Sequence, residues 1–110
     1  MTTKKESLEN IQNDVMRSRK IGNNTFEIIY KDGNRAIRLH KTDIITFGAT
    51  AFILNTGGWS TVTTKDRINK HIPCHYLFQK DFQWYLSTGK GIVEYYDGIR
   101  FNYDGSLIES

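Results

Sequence analysis

Residues 54–69 (LNTGGWSTVTTKDRIN) concentrate the hydroxyl and cationic side chains of this chain in one segment. A helix that begins among the threonines has free N–H groups in its first turn, and such groups attract anions. We expect Thr64 and Lys65 to assist in binding a phosphate or an acidic partner surface there. Arg67 and Lys70 are expected on the outer surface of the same helix. The glycine pair is not a P-loop, because GxxxxGK[ST] is absent.

For the tryptophan of this segment, Trp59, the sequence favours a structural role over a binding role. Gly57 and Gly58 can adopt positive φ and so turn the chain sharply. Trp59 would then pack into the core. Thr63 followed three residues later by Asp66 resembles a capping box, which predicts a helix that begins at Thr63.

His71, Cys74 and His75 form the pattern H-x-x-C-H and are possible metal ligands. A structural zinc site normally has two separated ligand pairs, whereas this chain has one cysteine. The sequence therefore favours surface histidines and a buried thiol over a metal site. No GxSxG, HExxH or GxGxxG motif is present, so we expect a protein that is not an enzyme and holds no cofactor.

The aromatic segment 78–86 allows both a core and a stacking surface. Alternation places Phe82, Trp84 and Leu86 on one face, and Tyr85 on the other. Trp84 is predicted in the core, and Tyr85 is the surface aromatic that could stack on a base.

Length and charge indicate one mildly basic domain. The chain has 110 residues and a formal net charge of +3. Fourteen of its fifteen Lys and Arg residues precede residue 91, whereas residues 91–110 are net acidic. Such a small excess favours an ordinary solvated surface, although it is compatible with a nucleic-acid partner. No apolar run approaches the ~20 residues of a membrane span, so no membrane association is expected.

Two helices are predicted from apolar spacing. Residues 7–20 place Leu8, Ile11, Val15 and Met16 on one stripe, with Gly22 ending the helix. Residues 63–72 form the second helix, which Pro73 ends.

The remaining segments predict antiparallel strands. Residues 25–30 and 35–39 alternate around an Asp32-Gly33 turn, and residues 44–47 and 51–54 are short apolar runs. Residues 76–78 and 82–86 suggest another hairpin, and two Tyr-Asp-Gly turns divide residues 91–108 into a three-stranded meander. We therefore expect an α+β domain, a twisted antiparallel sheet with an N-terminal helix and one short central helix packed on it.

Several motifs resemble a small domain family that is widespread in tailed-bacteriophage genomes. The core of the likeness, GGWxTxTTKxRIN, is specific, and the match spans residues 36–100, which leaves residues 1–22 with the predicted N-terminal helix outside. The motifs that carry it are RLH (38–40), TDIITF (42–47), LNTGGW (54–59), TVTTK (61–65), RIN (67–69), QK (79–80), WY (84–85) and DG (97–98). The resemblance implies an accessory phage protein of the bacterial host cytoplasm, and it indicates origin more than mechanism, because the family has no established activity.

These observations lead to three functional hypotheses. The first is a phage protein that binds and inhibits a host protein or protein–nucleic-acid complex, for example a defence complex such as CRISPR–Cas. The second is direct, sequence-tolerant nucleic-acid binding, and the third is a structural component that forms homo-oligomers through the N-terminal helix. The candidate contact residues are Arg35, Arg38, Thr64, Lys65, Arg67, Lys70 and Tyr85.

Overall fold

A computed structural model describes residues 14–109, which form two antiparallel sheets and one helix. The strands are β1 (Val15–Gly22), β2 (Thr25–Tyr30), β3 (Arg35–Leu39), β4 (Thr42–Phe47), β5 (Ala51–Leu54), β6 (Tyr76–Lys80), β7 (Gln83–Thr88), β8 (Gly91–Glu94), β9 (Arg100–Asn102) and β10 (Leu107–Ile108), and the helix is α1 (Val62–His71). Seven strands form the large sheet in the order β1-β2-β3-β4-β5-β9-β10, and β6-β7-β8 form the small sheet.

The predicted α+β class is wrong, because strands dominate the described residues and α1 is short. The fold is closer to all-β with one small helix. In the described part of the chain, no helix has the length and apolar character that crossing a membrane requires.

The predicted N-terminal helix is wrong where it can be tested. Residues 7–13 lie outside the described residues, but residues 15–20 belong to strand β1. This strand pairs with β2 across the tight turn at Asn24, whose φ is +54°. Arg19 and Glu27 face each other across the pair at 2.7 Å. At Val15 and Met16, the two residues of the predicted apolar stripe that the structure describes, backbone pairing with β2 outweighs helical spacing.

The hairpin of β2 and β3 confirms the predicted alternation, and β4 and β5 confirm that the two short apolar runs are strands. The register between β3 and β4 shifts after Ile37, which leaves Ile44 as an extra residue in β4. A bulge of this kind lets two successive residues face the same side. Ile44 and Ile45 are accordingly both buried at 1% and 0% exposure.

Helix α1 begins one residue earlier than predicted, and Thr61 is its N-cap. The Thr64 backbone N–H donates to the Thr61 hydroxyl at 3.1 Å, so the expected capping box of Thr63 and Asp66 is not formed. The chain becomes extended at Ile72, just before Pro73, as the proline predicted.

The predicted meander of residues 91–108 is wrong, because its strands separate. Strand β8 pairs with β7 in the small sheet, whereas β9 crosses to the large sheet and pairs with β5. The first Tyr-Asp-Gly segment is therefore a crossing between sheets and not a hairpin turn.

The main core lies between the large sheet, α1 and the small sheet. Its buried residues are Ile37, Leu39, Ile44, Ile45, Phe52, Leu54, Ile68, Leu77, Trp84, Leu86, Ile99 and Phe101. The prediction that Trp84 is a core residue is confirmed at 8% exposure. A second buried cluster of Ile28, Tyr30 and Ala36 lies on β2 and β3.

Asn69 joins α1 to the small sheet with its side-chain amide. Its Nδ2 donates to the Leu77 carbonyl and its Oδ1 accepts from the Leu77 N–H, both at 2.7 Å. The amide thus satisfies both backbone groups of a residue whose exposure is 0%. This explains why a polar residue follows Ile68 on the helix.

We predict that Asn69→Ala lowers the free energy of unfolding by about 2–4 kcal/mol, because it leaves two buried backbone groups of Leu77 unpaired. Lys70→Ala, at an exposed position of the same helix, should change it by less than about 0.5 kcal/mol. Urea unfolding of both variants measures the difference. Equal effects of the two substitutions would contradict the role of the amide.

Candidate interaction surfaces

Residues 55–60, here called the signature loop, connect β5 to α1 and are closed by their own hydrogen bonds. The Asn55 side chain accepts from the Gly57 N–H at 2.8 Å, and the Thr56 hydroxyl accepts from the Gly58 N–H at 3.1 Å. The Trp59 N–H donates to the Thr56 carbonyl at 3.0 Å. These bonds fix the backbone of the loop from within.

Asp97 anchors the signature loop from a distant part of the chain. The backbone N–H and the hydroxyl of Thr56 each donate to the Asp97 carboxylate at 2.9 Å. The Tyr95 hydroxyl donates to the same carboxylate at 2.6 Å. Hydrogen bonds to a carboxylate are stronger than those between neutral groups, so Thr56, at 2% exposure, is held firmly.

The pKa values of the anchor follow from these contacts. Burial of the Asp97 carboxyl acts to raise its pKa, but the hydrogen bonds from Tyr95 and Thr56 outweigh burial, so the pKa is lowered. Burial raises the pKa of Tyr95, and its hydrogen bond to the Asp97 carboxylate raises it further. At neutral pH the pair is therefore a tyrosine that donates to a charged carboxylate.

Gly57 lies tightly against β4. Its φ is +64°, and a Cβ at this position would be 2.4 Å from the Thr42 hydroxyl oxygen. Gly58, at φ +89°, has no atom within 4 Å of such a Cβ. The first glycine is thus required by both conformation and space, and the second by conformation alone.

The prediction that Trp59 is a core residue is wrong, since the side chain is 68% exposed. The ring forms one wall of a cleft of about 360 Å³, whose other residues include Leu39, Lys41, Ile44 and Thr64. Leu39 and Ile44 are buried, so the core is already closed beneath the cleft. The loop therefore holds Trp59 outward beside an apolar cleft.

A second surface, here called the basic face, carries five cations on β1, β3 and α1. Its members are Arg17, Arg19, Arg35, Arg67 and Lys70, and Glu27 and Asp66 are the carboxylates paired with them. Arg19 and Arg35 reach the same Glu27 carboxylate at 2.7 and 3.4 Å.

The basic face perturbs two titratable groups. The hydrogen bond from Arg19 lowers the pKa of Glu27, and the charges of Arg19, Arg35 and Arg17 lower it further. Burial lowers the pKa of His71, and the nearby charges of Lys70, Arg35 and Arg67 add to the effect. Both shifts have the sign expected for a positive local potential.

The structure brings three of the predicted contact residues together on the basic face, namely Arg35, Arg67 and Lys70. Arg67 is only partly outward, because its Nε donates to the Thr25 hydroxyl at 3.1 Å. The Arg38 side chain lies on the opposite side of the large sheet, because side chains alternate between the two sides along β3.

The remaining predicted contact residues have structural partners. Arg38 Nε donates to Asp43 at 2.7 Å, and the Tyr30 hydroxyl hydrogen-bonds the same carboxylate. Asp43 raises the pKa of Arg38 through that hydrogen bond, and burial and Asp43 raise the pKa of Tyr30. The three further candidates lie in different surroundings. Thr64 is buried at 2%, the Lys65 amine is 5.9 Å from the Trp84 ring centre, and Tyr85 stacks on Phe78 at 5.7 Å.

The three possible metal ligands occupy different environments. Cys74 is exposed and His75 is buried, which reverses the predicted surface histidine and buried thiol at these positions. His75 packs edge-on against Phe101 at 4.6 Å, with Nε2 3.2 Å from the Gly105 carbonyl oxygen. Among residues 14–109, no group of three or more His, Cys, Asp or Glu side chains is arranged to hold a metal ion.

The sequence interpretation missed Arg17, Arg19 and Asp97 as site residues. Arg17 and Arg19 fall within the predicted helix of residues 7–20, although their spacing of two also fits one face of a strand. Asp97 falls within a predicted turn, because glycine follows it. The spacing of Arg17 and Arg19 is a pattern that the sequence shows, whereas the hydrogen bonds between Thr56 and Asp97 leave no pattern in the sequence.

We predict that Gly57→Ala destabilises the protein by roughly 2–4 kcal/mol and Gly58→Ala by about 1–2 kcal/mol. Both substitutions force alanine into the left-handed region, but only the first meets Thr42. Adding Thr42→Ala to Gly57→Ala should recover part of the stability, as thermal unfolding can show. Equal destabilisation by the two glycine substitutions would contradict this geometry.

We also predict a pH dependence that comes from Asp97. Its folded-state pKa is lowered, so its contribution to stability is complete above the ordinary value of 3.8 and is lost as the pH falls through the lowered pKa. Asp97→Asn should cost about 1–2 kcal/mol at neutral pH. The difference in the free energy of unfolding between the wild type and Asp97→Asn, measured by urea unfolding, should decrease below pH 3.8. A difference that does not change with pH would contradict this role of the Asp97 carboxylate.

Comparison with known proteins identifies a family but no individual relative. Residues 2–102 match the family model described as Kyanoviridae Gp96 protein, a longer stretch than residues 36–100 of the sequence resemblance. Neither curated proteins nor solved structures give a significant match. Because the match covers most of the chain, this protein belongs to the Kyanoviridae Gp96 protein family, a family of bacteriophage proteins.

Proposed function

We propose that this phage protein is a non-enzymatic accessory protein that binds and inhibits a protein of the bacterial host, with the signature loop as its contact. The host protein we favour is a component of a nucleic-acid-handling defence complex in the cytoplasm, such as CRISPR–Cas. The observation that supports binding is Trp59, a tryptophan held 68% exposed by a hydrogen-bonded loop.

Physical chemistry favours a protein partner at this position. Tryptophan is among the residue types most enriched in side chains that dominate protein–protein binding energy. Val62, at 76% exposure, begins the helix that follows the loop, so a second apolar side chain lies close in sequence. The cleft beside Trp59 offers a partner side chain a concave apolar contact.

The rigidity of the loop adds to this argument. A flexible loop loses conformational entropy when a partner orders it, and that loss weakens binding. The signature loop is ordered beforehand by Thr56, Gly57 and Asp97. Trp59 therefore needs little further ordering on association.

We predict that Trp59→Ala weakens binding to the host target by about 30-fold or more, the effect of removing a side chain worth about 2 kcal/mol. The tagged protein is first used to capture partners from host lysate, and the partner identified by mass spectrometry is then titrated in purified form. Tyr76→Ala is the matched control, because Tyr76 is another aromatic residue that is 59% exposed, on β6.

The control should bind as the wild type does, and both variants should unfold at temperatures close to that of the wild type. Equal affinity of the Trp59→Ala variant and the wild type would exclude the signature loop as the contact. If none of the captured host proteins binds when it is purified, a protein target is excluded.

A further inference from the structure

The basic face concentrates the charge of the molecule. Its five cations and the two carboxylates of Glu27 and Asp66 give a net charge of +3, equal to the formal net charge of the whole chain. Like charges so close repel one another and lower the stability of the compact state. A bound polyanion would remove that repulsion.

The fold itself assembles this surface. Arg17 and Arg19 are two residues apart on β1, so both face the same side of the large sheet. Arg35 lies on β3 and faces the same side, since it pairs with Ile29, the register partner of Arg17. Helix α1 crosses this side and ends there.

Two of the cations are fixed in position. The Arg35 guanidinium lies 4.1 Å from the centre of the Phe47 ring, and the Arg67 Nε donates to Thr25. Arg17, Arg19 and Lys70 are exposed at the rim. The surface thus has an ordered centre and outer charges on long side chains that can adapt to a ligand.

The chemistry of the face fits phosphate groups. Four of its five cations are arginines, whose planar guanidinium groups bind phosphate oxygens in pairs. The exposed aromatic side chains of the described residues are Trp59, Tyr76, Phe82, Tyr96 and Tyr103, and none of them is on β1, β3 or α1. The face therefore lacks both the rings that stack on bases and the aromatic anchors that a protein interface uses.

We propose that the basic face binds the phosphate backbone of nucleic acid without reading its sequence. The site shares no residue with the signature loop. Backbone binding of this kind is electrostatic, and it weakens steeply as salt rises because each phosphate contact releases a counterion.

The test measures binding of labelled random-sequence DNA and RNA oligonucleotides by fluorescence anisotropy over a series of salt concentrations. We expect Arg17→Glu combined with Lys70→Glu to reduce affinity at low salt by roughly tenfold or more. The negative slope of log affinity against log salt concentration should become shallower by about 0.7–0.9 for each phosphate that the variant no longer neutralises. Lys80→Glu combined with Lys90→Glu makes the same change in net charge outside the basic face and should have a much smaller effect.

Several outcomes would overturn the proposal. These are no binding to any oligonucleotide at low salt, an equal decrease in affinity in the two double variants, or preferential binding of polyglutamate, which would assign the face to an acidic protein. If the charge-reversed variant does not fold, Arg17→Gln combined with Lys70→Gln replaces it. Trp59→Ala should bind oligonucleotides as the wild type does, so failure here is distinguishable from failure of the proposed host-protein contact.

Discussion

The closure of residues 55–98 into one excursion from the large sheet is the constraint on which the remaining structure depends. The chain leaves β5 at Leu54 and returns at Ile99, and two backbone hydrogen bonds join these ends. The Leu54 N–H donates to the Ile99 carbonyl at 3.0 Å, and the Gly98 N–H donates to the Leu54 carbonyl at 2.8 Å. Thr56 and Asp97 add a second closure just beyond. Both ends therefore meet at one point, and the shared buried core holds α1 and the small sheet over the large sheet.

This arrangement decides which parts of the large sheet are covered. The excursion packs over the middle of the sheet, where Ile68 of α1 and Leu77 of β6 meet Ile37 and Ile45. Strand β1 lies at the edge of the sheet, and six of its eight residues are exposed. An edge strand that carries cations resists pairing with other chains. The sheet residues of the basic face therefore lie on a part of the sheet that the excursion leaves open, and the end of α1 supplies its other two cations.

The sequence was sufficient for features that depend on near neighbours. Alternation and the Asp32-Gly33 turn located the β2–β3 hairpin, and periodicity located α1 to within one residue at each end. It failed for β1, because Val15 and Met16, two residues of the predicted helical stripe, lie in a strand whose partner is supplied by tertiary pairing. It failed for Trp59 because the side chain is directed by a hydrogen bond between residues 41 positions apart, which no local pattern records.

Residues 54–69 illustrate how structural and binding roles are divided within one segment. At the helix start, the Thr64 N–H donates to the Thr61 hydroxyl, and the two threonine hydroxyls are 3.1 Å apart. The side chains of Thr61 and Thr64 thus stabilise the start of α1. Two side chains of the segment that are proposed as contacts lie apart, with Trp59 on the signature loop and Arg67 in the second half of α1. The threonines and glycines thus act by positioning, and the contacts proposed for partners belong to the residues that they hold in place.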